Sequence, residues 1–342
     1  MIIDCHGHYT TAPQAQRSWR QKQVEALDNP TSVPAKGTID ISDDEIRESL
    51  EGKQLKQQRD CGIDMALFSP GAGKMAHHVG NATTSQHWSE HCNDMIHRVC
   101  GLYPDSFIGV CQLPQSPGVP PANCIPELER CVEELGFVGC NLNPDPTGAY
   151  WTDPPLTDRW WYPLYEKLVE LDVPAMIHVA ASCNPNFHGT GAHYLAGDTT
   201  AFMQFLLSDL FKDFPTLKFV IPHGGGAVPY HWGRFRGLAH DRGLPPLEEL
   251  LLDNVFFDTC VYHQPGVSLL TEVIPVKNVL FGSEMIGAIK GKDPLTGRPF
   301  DDTKTFVDGS PWLSKEDKEM VFEKNARAVY PRLDKILKSR GL

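Results

Sequence analysis

Apolar residues in this chain gather in short, nearly continuous runs rather than in a strict apolar–polar alternation. Eight such runs, at residues 1–4, 65–69, 107–112, 137–142, 174–179, 218–222, 255–259 and 279–282, are rich in β-branched and aromatic side chains. Runs of this kind suit parallel strands covered on both faces, where neither side of the strand meets water. Between most of them the apolar spacing turns helical. It predicts helices over 42–59, 127–135, 160–171, 199–211, 265–273 and 315–329, with a short basic tail after the last. Their ends are marked by Ser42 with Glu45 three residues on, and by Gly62, Gly136, Pro174, Pro215 and Pro275.

Strands and helices that alternate in this way predict an α/β fold, a (β/α)₈ TIM-type barrel forming one domain over 1–342. A doubly wound open sheet is the second choice. Residues 10–41 break the alternation, being polar and proline-containing, and read as an irregular insertion after strand one. Insertions at that place cover the active site or reach a neighbouring subunit.

Composition narrows the role. A formal charge of −12 argues against nucleic acid as a partner, since that role needs a basic face. Ten cysteines lack CxxC spacing, and Met1-Ile2-Ile3-Asp4 lacks the basic and apolar segments of a secretion signal. Reduced thiols and a cytoplasmic location are the expectation. No run approaches the roughly 20 apolar residues a membrane span requires.

The sharpest motif is Asp4-Cys5-His6-Gly7-His8 at the end of the first strand. Alternate strand residues point the same way, so His6 and His8 aim at one spot and Cys5 points away, into packing. Imidazole nitrogen suits zinc and similar divalent metals. Two exposed histidines would give the same string, but three further polar groups share the location. His178 ends strand five, His223 ends strand six just before Gly224-Gly225-Gly226, and Glu284 ends strand eight. Barrel enzymes draw their chemistry from strand C-termini. The triple glycine lacks the rest of a phosphate loop and reads as close backbone approach beside His223. His87, Trp88 and His91 are helically spaced and read as a wet helix face.

Taken together, HxH after strand one, His after strand five, His-Gly-Gly-Gly after strand six and an acid after strand eight resemble the amidohydrolase superfamily. The resemblance lies in the branch containing aminocarboxymuconate-semialdehyde and resorcylate decarboxylases, and it spans essentially the whole chain. It implies one zinc ion per subunit, held by His6, His8 and His178, with Glu284 as a further ligand, a base, or both. His223 and Glu284 would form the acid–base pair. The superfamily usually carries Asp after strand eight; Glu284 sets the carboxylate farther out, on the order of 1.5 Å. That departure disfavours decarboxylation and is compatible with the branch's hydratase chemistry. A hydratase of this kind adds water to a small tricarboxylate whose 2-keto group is conjugated to a double bond, in the breakdown of protocatechuate- or gallate-type acids. Such a substrate needs cations and hydrogen-bond donors. The candidates are Arg234, presented from the neighbouring subunit of a homodimer as in the related decarboxylases, with Lys74, His77, Asn143 and Tyr194. The rival readings are a metal-dependent decarboxylase, a lactone or amide hydrolase, and a non-catalytic scaffold.

Overall fold

A computed structural model describes residues 1–29, 31 and 34–342. Nine strand segments, all buried, form two parallel sheets: β1 (Ile3–Tyr9), β2 (Met65–Pro70) and β3 (Phe107–Gly109), then β4 (Cys111–Gln112), β5 (Cys140–Leu142), β6 (Ala175–Ile177), β7 (Phe219–Ile221), β8 (Val255–Asp258) and β9 (Val279–Leu280). The two sheets are one barrel. β3 and β4 are a single strand interrupted at Val110, bonded to β2 through its first half and to β5 through its second. At the other seam Cys5 N donates to Phe281 O at 2.8 Å and Glu284 N to His6 O at 2.8 Å, so β9 closes on β1. The eight barrel strands occupy the eight expected runs. Most are shorter than the runs, and β1 is longer, carrying both histidines within it.

The alternation of strand side chains sorts the core into two shells. Ile3, Cys5, Met65, Leu67, Ile108, Val110, Val138, Met176, Val220, Phe256 and Leu280 fill the barrel interior, while Phe68, Phe107, Phe219, Ile221 and Phe257 face the surrounding helices. Cys5 is thus in packing as expected, but inside the barrel. It shares that side with the histidines because the β1–β2 register shifts between Asp4 and Gly7. A bulge re-aims the following side chains.

The expected insertion, wet helix face and tail need correction. The insertion is not irregular throughout: Gln14–Glu25 is a helix, begun by Pro13 and anchored by buried Trp19 stacked on Trp88 at 5.9 Å. Its other buried residues, Gln16 and Gln23, are polar, so no apolar stripe announced it; residues 30, 32 and 33 of the insertion lie outside the described residues. Trp88 and His91 belong to the helix Ala82–Leu102 but face inward against Trp19, not water. The supposed tail is the helix Pro331–Ser339, whose Leu333 and Leu337 are fully buried and plug the end of the barrel opposite the histidines. Leu337→Ala is expected to cost about 2–5 kcal/mol, the usual range for a buried leucine. A denaturant midpoint equal to wild type would show the plug to be dispensable.

The expected helix 42–59 starts at the Ser42–Glu45 capping box but breaks at Gly52 into Asp43–Glu51 and Gln54–Asp60. The one expected over 199–211 runs instead over Tyr194–Leu206, preceded by the wide turn Gly189–His193. The shift matters, because it places Tyr194 and Asp198 beside the strand ends.

Candidate metal centre and active site

Three imidazoles converge at the C-terminal mouth of the barrel. Nε2 of His6 lies 3.0 Å from Nε2 of His8 and 3.2 Å from that of His178, and the last two are 3.1 Å apart. All three rings are buried, and each is fixed from behind through Nδ1. His6 Nδ1 meets Asp258 Oδ2 at 2.6 Å, His8 Nδ1 meets Ser69 Oγ at 2.6 Å and Pro70 O at 3.2 Å, and His178 Nδ1 meets Val179 O at 2.8 Å. An acceptor behind Nδ1 puts the proton there and leaves the Nε2 lone pair facing forward. Three lone pairs pointed at one another at this separation repel, unless a cation sits between them. Burial, then the neighbouring histidines, hold His8 and His178 well below the usual imidazole range, so both are neutral and able to ligate. Glu284 brings a carboxylate oxygen to the same cluster, all four donor atoms lying within 4.8 Å of one another. Nitrogen and oxygen donors in this arrangement fit a divalent metal.

The acid–base groups stand beside this cluster. His223 Nδ1 donates to Asp198 Oδ2 at 2.9 Å, while Nε2, buried and without a hydrogen-bond partner among the described residues, lies 3.7 Å from Glu284 Oε2. Burial alone would lower the His223 pKa; the negative charge and hydrogen bond of Asp198, with help from Glu284, outweigh it and raise it to about 9. Tyr262 Oη donates to Glu284 Oε2 at 2.7 Å. His223, Glu284 and Tyr262 all have positive φ, at 52°, 48° and 59°. Side chains avoid that region unless their surroundings dictate it, and such strain gathers at functional sites. The glycines after His223 are required there. A Cβ on Gly225 would lie 2.5 Å from Phe257, and one on Gly226 2.5 Å from Leu195 O, each at a positive φ.

A cavity of about 330 Å³ opens over the cluster, lined by His8, Tyr194 and Glu284 and by three cations, Arg17, Lys74 and Lys290. Its size suits a small molecule.

The amidohydrolase family profile matches residues 3–332. The chain belongs to the amidohydrolases. It is 59% identical over 342 residues to the 2-keto-4-carboxy-3-hexenedioate hydratase of Sphingobium sp. strain NBRC 103272 / SYK-6, covering 100% of this chain and 99% of that protein. The crystal structure of the 4-oxalomesaconate hydratase LigJ from Rhodopseudomonas palustris superposes with a TM-score of 0.93 at 58% identity, over 100% of this chain and 99% of that one. A γ-resorcylate decarboxylase of Polaromonas sp. strain JS666 is more distant, 27% identical over 196 residues, 54% of this chain and 59% of that protein. Divalent-metal use is shared across the amidohydrolase family, in keeping with the donor cluster.

Within this amidohydrolase the expected substrate contacts divide. Lys74 and Tyr194 line the cavity, and Tyr194 packs edge-on against His178 at 5.3 Å. His77 and Asn143 do not line it. They are buried and spent on each other, with Asn143 Nδ2 2.9 Å from His77 Nδ1 and His77 Nε2 3.1 Å from Leu113 O. Arg234 is exposed on the helix Trp232–Asp241 and lies outside the cavity of its own chain. Four residues that carry the geometry went unremarked in the sequence: Asp258 behind His6, Asp198 behind His223, Tyr262 on Glu284, and Arg17 in the inserted helix. Asp258 had a signal, being an acid at a strand's C-terminal edge like Glu284; the other three had none.

Asp198→Asn removes the charge that raises the His223 pKa. With burial then opposed only by the weaker pull of Glu284 and Asp258, His223 is expected to lose its proton at lower pH, moving the basic limb of the kcat/KM profile toward neutrality. A basic limb unmoved from wild type would separate Asp198 from catalysis.

Proposed function

We propose that this amidohydrolase adds water to the conjugated double bond of 4-oxalomesaconate, giving 4-carboxy-4-hydroxy-2-oxoadipate. What carries the reading is full-length identity of 59% and 58% to two hydratases, together with a cluster of three converging histidines flanked by a carboxylate and a charged imidazole. Three imidazoles and a carboxylate favour zinc, one ion per chain. When bound, the ion supplies Lewis acidity that lowers the pKa of water and polarises oxygen. His6, His8, His178 and Glu284 would hold it.

The remaining steps fall to the chain's own groups. Glu284 takes a proton from the attacking water as the oxygen bonds to the carbon β to the ketone. The double bond's electrons move onto the ketone oxygen as an enolate. His223, protonated and with Nε2 free, delivers a proton to the α-carbon as that enolate collapses; Glu284 then releases its proton to solvent and His223 takes one back from solvent, restoring both groups. Tyr262 orients the Glu284 carboxylate, and Tyr194 walls the cavity beside His178 and His223. Water and substrate combine with nothing left over. The reading extends to a cytoplasmic homodimer in which exposed Arg234, beside a 76% exposed Tyr230, serves the partner's cavity. A fully active monomer in sedimentation would contradict that part alone.

Product analysis tests the reaction. Incubation with 4-oxalomesaconate is expected to give a product heavier by one water, with no carbon dioxide released. Release of carbon dioxide would move the chain to its decarboxylase relatives.

A further inference from the structure

Arg17, Lys74 and Lys290 line the same cavity as His8, Tyr194 and Glu284, yet none makes an ion pair among the described residues. In a chain of net charge −12, cations have ample acidic partners, and many of those here take them. Lys74 is the most telling of the three. Its Nζ is shielded from water and has no hydrogen-bond partner among the described residues. A buried ammonium without a partner is costly, and it persists where something outside the chain completes it. Arg17 makes one long bond, 3.4 Å to Thr10 O, which leaves most of its guanidinium donors uncommitted. Lys290 is exposed at the rim.

We infer that Arg17, Lys74 and Lys290 form the carboxylate-recognition site of this cavity, with Lys74 taking a carboxylate inside it and Arg17 and Lys290 taking one at its rim. The inference rests on the hydratase reading and adds to it the residues that select a polycarboxylate. All three come from segments outside the barrel strands: the inserted helix Gln14–Glu25 supplies Arg17, the turn Ala72–Lys74 after β2 supplies Lys74, and the stretch after Glu284 supplies Lys290. The insertion is then a wall of the substrate site. Mutual repulsion supports this arrangement: burial, then Arg17, bring the Lys74 pKa down to about 8, a cost that a bound carboxylate relieves.

The test uses zinc-loaded protein and propane-1,2,3-tricarboxylate, an unreactive probe, with binding measured by calorimetry. Lys74→Met is expected to weaken binding at least about tenfold, in line with loss of a charge-assisted contact, and Arg17→Met and Lys290→Met to weaken it less. Monocarboxylate propionate should bind weakly to wild type and feel the substitutions little. Zinc content and melting temperature equal to wild type will show that the variants fold. Unchanged tricarboxylate affinity in Lys74→Met would overturn the assignment. Because the probe does not turn over, this result is independent of the assay with 4-oxalomesaconate, which tests the hydratase reading itself.

Discussion

Glu284→Gln is expected to lower kcat by about 10²–10⁴-fold, the usual contribution of a positioned general base, with little change in KM. Glutamine keeps the length and shape of the side chain and an oxygen to accept from Tyr262, which donates at 2.7 Å in the native protein. What it loses is the capacity to take a proton. The three histidine nitrogens, 3.0–3.2 Å apart, remain to hold the metal, so zinc content should stay close to wild type. Steady-state kinetics alongside elemental analysis separates the two roles of this residue. Turnover lost with metal retained assigns Glu284 to proton transfer; both lost together makes it chiefly a ligand; near-normal turnover excludes it from the chemistry.

Asp258→Asn should act on the metal rather than on the proton. Asp258 divides its oxygens. Oδ2 accepts from His6 Nδ1 at 2.6 Å, and Oδ1 accepts from Gly224 N at 3.1 Å and Cys260 N at 3.0 Å. An asparagine best keeps its oxygen on the two backbone donors, which turns its NH₂ toward His6. Donor then faces donor, and the imidazole relieves this by moving its proton to Nε2. The nitrogen that should bind metal is then occupied. Loss of a carboxylate behind a metal-binding histidine typically costs 10–100-fold in affinity, and a chelator competition should read a loss of that size. Affinity equal to wild type would mean that Asp258 holds the Gly224 loop but does not set the His6 tautomer.

The barrel and the centre of the site were legible because both follow from local pattern. Buried parallel strands have to be apolar, so a histidine or acid at the end of such a run stands out, and His6, His8, His178, His223 and Glu284 all do. Asp258 obeys the same rule, yet Phe256-Phe257-Asp258 reads first as the close of a strand. Asp198 sits inside a helix, and only the tertiary fold brings it 2.9 Å from His223. The inserted helix was hidden for a different reason. It buries two glutamines and one tryptophan, so its spacing carries no apolar stripe. With it went Arg17. His77 and Asn143 show the opposite limit: polar residues after a strand read alike whether they face a cavity or, as here, pair with each other in the core. The C-terminal helix reads as a tail because its five polar positions outnumber the two leucines that plug the barrel.

A single titration tests the central claim, that this chain hydrates 4-oxalomesaconate and that its three converging histidines would hold the metal that supports the reaction. Metal-free protein is mixed with increasing zinc while the conjugated absorbance of 4-oxalomesaconate is followed. The rate of its loss should rise in proportion to zinc and level off at one equivalent per chain. Full activity in the metal-free protein, or no consumption of 4-oxalomesaconate at any zinc level, would contradict it.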